Sequence, residues 1–292
     1  MGDVYAADAP DGQRVALKVL RLDAGNRDEL HRRFRREAEL CKSINHPNVV
    51  TVTDYGVHDG APYMTMRLLE GRDLESWLEE LGALSPEVAV AIALEACAGL
   101  AAAHARGIVH RDFKPANVFL DEREGFIRAV VCDFGIAKVY DEDGALTASG
   151  AVLGTPLYMA PEQLLDSKHV DARCDVWAVG MVLYHALAGR AAFADVRGIG
   201  DLVVLFRDCN VPPLQTFAPW IPASLARVVH AALLPLDRRF ATVDEFARAL
   251  RLWGPEPVTL QRTALVRLAD DRRSRVATHA VLPKSAAELG TP

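Results

Sequence analysis

Residues 110–117 read His110-Arg111-Asp112-Phe113-Lys114-Pro115-Ala116-Asn117, and Asp133-Phe134-Gly135 follows. Next come Gly154-Thr155-Pro156-Leu157-Tyr158-Met159-Ala160-Pro161-Glu162 and Asp175-Val176-Trp177-Ala178-Val179-Gly180. Singly, each has a plain reading. His110–Asp112 is a loop with a structural salt bridge, and Asp133–Gly135 is a turn. Working outward, Ser85-Pro86-Glu87 supplies an N-cap, a first-turn proline and an acidic first turn to an Ala-rich helix that Gly107 stops. Asp171–Leu187 is apolar nearly all round and reads as a buried helix. Thr242-Val243-Asp244-Glu245 is a capping box opening a helix to about Trp253.

Upstream the text changes. Arg14–Leu20, Val49–Tyr55 and Tyr63–Leu69 are apolar, β-branched runs separated by turn signals, with a helical segment at Arg27–Ile44 stopped by Asn45-His46-Pro47. A small strand-rich half thus precedes a larger helical half. Gly254-Pro255-Glu256-Pro257 opens a tail of little periodicity, which is expected to be flexible.

The 292 residues carry 33 Lys+Arg against 39 Asp+Glu, a net charge of −6, which excludes a whole-surface nucleic-acid binder. The five cysteines are far apart and form no C-x-x-C, against a disulfide framework or zinc knuckle and in keeping with a reducing cytoplasm. Val88–Ala103 is interrupted by Glu95 and reads as a soluble helix, so no membrane span is expected. Met1-Gly2-Asp3-Val4 has no basic region of a signal peptide.

Val15-Ala16-Leu17-Lys18 alone would be a strand with a surface lysine, and Glu37 a charge on a solvated helix face. The ordered set of motifs, however, resembles the protein kinase family, specifically the eukaryotic-like Ser/Thr kinases of bacteria, over about residues 1–253. That resemblance implies an α+β, bilobal fold. The small β-rich lobe would cover about 1–69, the larger α-helical lobe about 70–253, and the flexible tail 254–292. It also implies ATP and Mg²⁺. Lys18 would grip the α- and β-phosphates and Glu37 would pair with it. Asp112 would accept the substrate hydroxyl proton and Lys114 would stabilise the γ-phosphate. Asn117 and Asp133 would hold magnesium, their hard oxygens suiting the ion.

Lys114 and Gly154-Thr155-Pro156 resemble the Ser/Thr class, with Thr155 bridging Asp112 and Lys114, and Ile136 leans toward threonine acceptors. For adenine, Met66 falls at the gatekeeper position, and Arg67 and Leu69 would offer backbone hydrogen bonds. Val4, Ala16 and Phe119 would sandwich the ring, a role compatible with plain core packing, and Asp73 would reach the ribose. Asp175 would cap the catalytic-loop backbone, Arg239 would pair with Glu162, and His110 would pack as a core histidine. Thr147, then Ser149, are the expected autophosphorylation sites, with a transient homodimer as one route. Cys132 is read either as a thiol activated by Lys18 or as an inert buried one.

The family's phosphate loop reads G-x-G-x-x-G-x-V. Gly2 matches its third glycine and Val4 its valine, so the resemblance implies N-terminal truncation with the first strand missing. The expected function is ATP-dependent phosphorylation of protein Ser/Thr. The alternative is a catalytically weak pseudokinase or scaffold, favoured by the incomplete phosphate loop. A small-molecule kinase is disfavoured by Gly154–Glu162, which resembles a protein-docking loop.

Overall fold

Four antiparallel strands build the small lobe: β1 (Gly2–Asp8), β2 (Arg14–Leu20), β3 (Val52–His58) and β4 (Ala61–Arg67), in the order β1-β2-β4-β3. This computed structural model describes residues 2–20, 27–134, 155–165, 170–196, 198–207, 209–254, 259–274 and 276–289. Alternation along β4 buries Pro62, Met64 and Met66 on one face. Helix α1 (Arg27–Lys42) sets Phe34, Ala38 and Cys41 against that sheet.

The third strand starts three residues later than the apolar run suggests. Val49 and Val50 are drawn to the large lobe. Val49 bridges Val131 in parallel, and the Val50 N–H donates to the Val131 carbonyl at 3.0 Å. Buried Asn48 adds Nδ2 to the Ala129 carbonyl at 2.9 Å. A side chain at Gly99 would run into the Asn48 carbonyl, so this approach requires glycine there.

Beyond β5 (Gly71–Asp73) and α2 (Leu74–Leu81), the Ala-rich helix is α3 (Pro86–His104), and Ser85 Oγ accepts from the Val88 N–H. It is long and apolar enough to cross a membrane, yet 67% of its most apolar stretch is buried inside the fold. β6 (Val118–Arg123) and β7 (Phe126–Val131) form a hairpin, followed by α4 (Pro161–Leu165) and α5 (Arg173–Ala188). Fourteen of the sixteen α5 residues are buried, so the helix is the lobe's core and not an amphipathic cover. Around it lie α6 (Ile199–Arg207), α7 (Ala223–Ala232) and α8 (Val243–Leu250). The α8 cap forms as read, with the Glu245 N–H donating to Thr242 Oγ1 at 3.1 Å. The reciprocal Glu245 carboxylate reaches the Ala241 N–H, one residue before the expected partner.

The described part of the tail, read from the sequence as a flexible segment of little periodicity, holds short regular elements. β8 (Leu260–Gln261) extends the hairpin sheet to the order β5-β6-β7-β8. Leu260, Leu265 and Leu268 are buried. Past α9 (Asp270–Arg273), the side-chain amide of buried Gln215 donates to Thr278 O and accepts from the Ala280 N–H. The Ala286 N–H then donates to Arg238 O at 2.8 Å. A few backbone bonds and three buried leucines suffice to hold a segment whose sequence has no helical or strand period.

Candidate active site

Buried Asp175, in the first turn of α5, organises the loop that leads to Asp112. Its carboxylate accepts from the backbone N–H groups of His110 (2.8 Å) and Arg111 (2.9 Å) and meets His104 Nε2 at 2.7 Å. Burial alone would push Asp175 up; the His104 hydrogen bond, the His110 and His104 charges and the backbone donor outweigh it and hold the group below its usual value. Arg111 sits at φ 61°, in the left-handed region that non-glycine residues rarely adopt, and its tethered N–H helps to hold it there.

Buried His110 is a packing residue, as its surroundings show. Its ring lies 4.8 Å from that of Phe134, its Nε2 faces the Cys132 carbonyl at 2.9 Å, and burial lowers its pKa. Asp112 Oδ2 and Lys114 Nζ are 3.1 Å apart, and both side chains are largely sheltered. Asn117 is buried, and its Nδ2 donates to the Asp112 carbonyl at 2.7 Å. That bond uses the nitrogen and leaves the amide oxygen as an acceptor.

Lys18 departs from the expected arrangement. Its Nζ pairs with Asp133 Oδ1 at 2.7 Å, and among the described residues no ion pair joins it to Glu37. The glutamate's charge is felt instead at Cys41, whose thiol is pushed up to about 12, first by burial and then by Glu37. Between α1 and the sheet lies a small cavity bordered by Lys18, Phe34, Cys41, Met66, Asp133 and Phe134. The lysine therefore sits across the lobe junction on Asp133 and not on the helix glutamate. Asp133, like Arg111, has a positive φ, 58°. Burial raises the pKa of the Cys132 thiol, the Asp133 charge adds to it and Lys18 opposes both, a balance that favours the inert reading.

The residues expected around adenine are brought together only in part. Met66 is buried beside Lys18, and Ala16 pairs with it across β2 and β4. The Arg67 N–H donates to the Thr51 carbonyl, which leaves only its own carbonyl for a base. Val4 lies opposite Lys18 on β1, and its side chain is 58% exposed. Gly2 lies in β1 opposite Leu20, where a side chain would strike the Val19 carbonyl. Leu69 and Phe119 are half-buried. Asp73 caps α2, its two carboxylate oxygens accepting from the N–H and the hydroxyl of Ser76. Thr155 starts a short 3₁₀ turn, Thr155–Tyr158, and its side chain lies outside the described residues. Gly135, Ile136, Thr147, Ser149 and Gly154 lie outside them altogether.

Arg239 and Glu162 form a buried bidentate pair at 2.7 and 3.2 Å, with Arg239 also donating to Leu234 O and Arg173 O. Three contributors escaped the sequence reading. His104 supports Asp175. Buried Asp121 holds the Glu70 N–H at 2.9 Å and Arg67 at 3.1 Å, behind the segment joining the lobes. Gln163 reaches the Arg111 carbonyl at 2.7 Å. Only for Gln163 was there a signal, its place directly after Glu162.

The donor set fits a triphosphate and a hard divalent cation. The Asn117 amide oxygen and the Asp133 carboxylate are oxygen ligands, and Lys18 and Lys114 supply positive charge on either side of them.

The protein kinase domain family matches residues 1–219. The chain is 39% identical over 258 residues to the serine/threonine-protein kinase Pkn1 of Myxococcus xanthus, covering 86% of this chain and 36% of that protein. It is 36% identical over 251 residues to the serine/threonine-protein kinase PknB of Mycolicibacterium smegmatis, covering 84% and 40%. The chain thus spans about two fifths of the length of these curated relatives. Among solved structures, the PknI kinase domain of Mycobacterium tuberculosis superposes with a TM-score of 0.65 at 32% identity, covering 87% of this chain and 91% of that one.

Proposed function

This chain belongs to the protein kinase family, among relatives that are bacterial serine/threonine kinases, and on that premise we propose that it transfers the γ-phosphoryl group of Mg-ATP to Ser or Thr hydroxyls of proteins. The observation that carries the reading is the convergence of Asp112, Lys114 and Asn117 on one loop fixed by Asp175. Asp112 receives the hydroxyl proton while Lys114, 3.1 Å away, offsets charge developing on the transferred group. Asn117 and Asp133 would hold magnesium, which would neutralise phosphate charge when bound. Lys18 holds the α- and β-phosphates once it leaves Asp133 and gains Glu37. Thr155 steadies Asp112 and Lys114. Met66, Arg67, Leu69, Val4, Ala16 and Phe119 frame the base. The proposed acceptors include Thr147 and Ser149 of the chain itself, phosphorylated in a transient homodimer, and the proposed setting is the cytoplasm.

A second reading, a binding scaffold of weak activity, draws on the unformed Lys18–Glu37 pair. Radiolabelled ATP with a generic basic protein separates the two. Transfer by this chain is expected to fall on the order of 10²–10⁴-fold in Asp112→Asn. Equal labelling by both chains would rule out the enzymatic assignment of Asp112.

A further inference from the structure

Gln163, in α4 next to the anchored Glu162, joins two loops through one side chain. Its Nε2 donates to the Arg111 carbonyl at 2.7 Å, and its Oε1 accepts from the Ala160 N–H at 3.0 Å. The Arg111 carbonyl belongs to the peptide plane that leads into Asp112. The N–H at the other edge of that plane, on Asp112, faces His110 Nδ1 at 3.3 Å. Gln163 and His110 therefore grip the two edges of one peptide whose first residue holds a left-handed conformation. A peptide so placed has other rotations within reach, and each would swing the Asp112 carboxylate.

The far side of Gln163 is rigid. Glu162 is locked by buried Arg239. The Tyr158 hydroxyl and His185 Nδ1 on α5 are hydrogen-bonded at 2.7 Å. Burial lowers His185 to about 4, so its ring is neutral at ordinary pH. A small cavity bordered by Arg111, Asp112, Tyr158, Met159 and Gln163 lies between the two loops, and the Gln163 amide bridges it.

We propose that Gln163 is a positioning residue that transmits the placement of the acceptor-docking segment 155–160 to the Arg111–Asp112 peptide, and so sets the aim of Asp112 at the incoming hydroxyl. This rests on Asp112 being the proton acceptor of the proposed reaction. Gln163 touches no reacting atom, and nucleotide affinity is set elsewhere.

Three variants of the full chain separate its two bonds. Gln163→Met removes both. Gln163→Glu can still accept from the Ala160 N–H but cannot donate to the Arg111 carbonyl. Gln163→Lys can donate to that carbonyl but cannot accept. With a basic protein as acceptor, Met and Glu are expected to lower kcat at least about tenfold, with Lys recovering part of the loss and the Mg-ATP KM unchanged. Hydrogen exchange at the Asp112–Asn117 amides, measured alongside, should quicken in Met and Glu and less in Lys. A kcat unchanged in Met, equal losses in Glu and Lys, or a Mg-ATP KM that rises with the loss would overturn the proposal. If the unaltered chain transfers no phosphate, exchange alone decides, and equal protection in all four proteins overturns it. Asp112→Asn tests the underlying reading separately: full turnover there defeats the assignment of Asp112, whereas an inactive Asp112→Asn beside a fully active Gln163→Met defeats only the role of Gln163.

Discussion

The surroundings of Asp175 and those of Lys18 are built to different standards. Asp175 is wholly buried and accepts two backbone N–H groups and a histidine, so every neighbour is fixed by another. Lys18 has an alternative. It binds Asp133, and among the described residues no ion pair joins it to Glu37. One half of the site is held by groups that stay in the large lobe, and the other depends on how a small-lobe helix lies. A switch is cheap where charges are partly solvated and costly where they are buried. The lobe junction around Lys18 is therefore where activity can be set without unfolding the protein.

The largest expected effect breaks the firm side. Asp175→Ala removes the acceptor of the buried His110 N–H and of the part-buried Arg111 N–H and should cost roughly 3–5 kcal/mol in urea unfolding. Turnover should vanish with it. A loss below about 1 kcal/mol would show that the loop is held by other means.

A middle-sized effect concerns pH. Glu95, on α3, accepts from the Ala129 N–H of β7, and burial raises its pKa from 4.5 to about 7 against that bond and Arg128. The folded protein thus holds the proton more tightly than the unfolded chain. The stabilisation is complete below about pH 4.5 and is lost as pH rises through about 7. Glu95→Gln keeps an acceptor for Ala129 and should remove a slope on the order of 2 kcal/mol over that window. His230 acts in the opposite sense. Burial lowers it from 6.5 to about 4, so its contribution disappears as pH falls through that range, in both proteins alike. Parallel stability curves for wild type and Glu95→Gln would refute the Glu95 assignment.

The smallest effect on stability sharpens the contrast. Because Glu37 makes no ion pair with Lys18 in this arrangement, Glu37→Gln should shift the unfolding free energy by less than about 0.5 kcal/mol. It should nevertheless lower the rate of phosphoryl transfer, because the proposed reaction needs Glu37 to hold Lys18 on the phosphates. A large stability loss would mean that the pair already forms without nucleotide.

The same contrast explains what could be read in advance. Asp112, Lys114 and Asn117 lie within six consecutive residues, so local chain geometry brings them together and the motif reports the site. The Ser85 and Thr242 caps are equally local. Val49 and Val50 misled because a β-branched pair looks alike in a small-lobe strand and in a bridge to Val131. The tail was opaque for a similar reason. β8 has two residues, and its stability comes from β7 and from pockets formed by distant residues. The Lys18–Glu37 distance depends on the position of a whole helix, which no spacing in the sequence encodes.

Trp77 lies between two guanidinium groups, Arg72 at 4.4 Å and Arg262 at 4.5 Å, and Arg273 lies 5.6 Å from Trp220. Arg262 and Arg273 both belong to the tail, whereas Trp177 sits under Arg239 of the large lobe. A charge held against an indole alters its excited state and hence the colour and intensity of its emission. Two of the protein's four tryptophans are thereby built-in optical probes of whether the tail is seated, legible in a fluorimeter without any label.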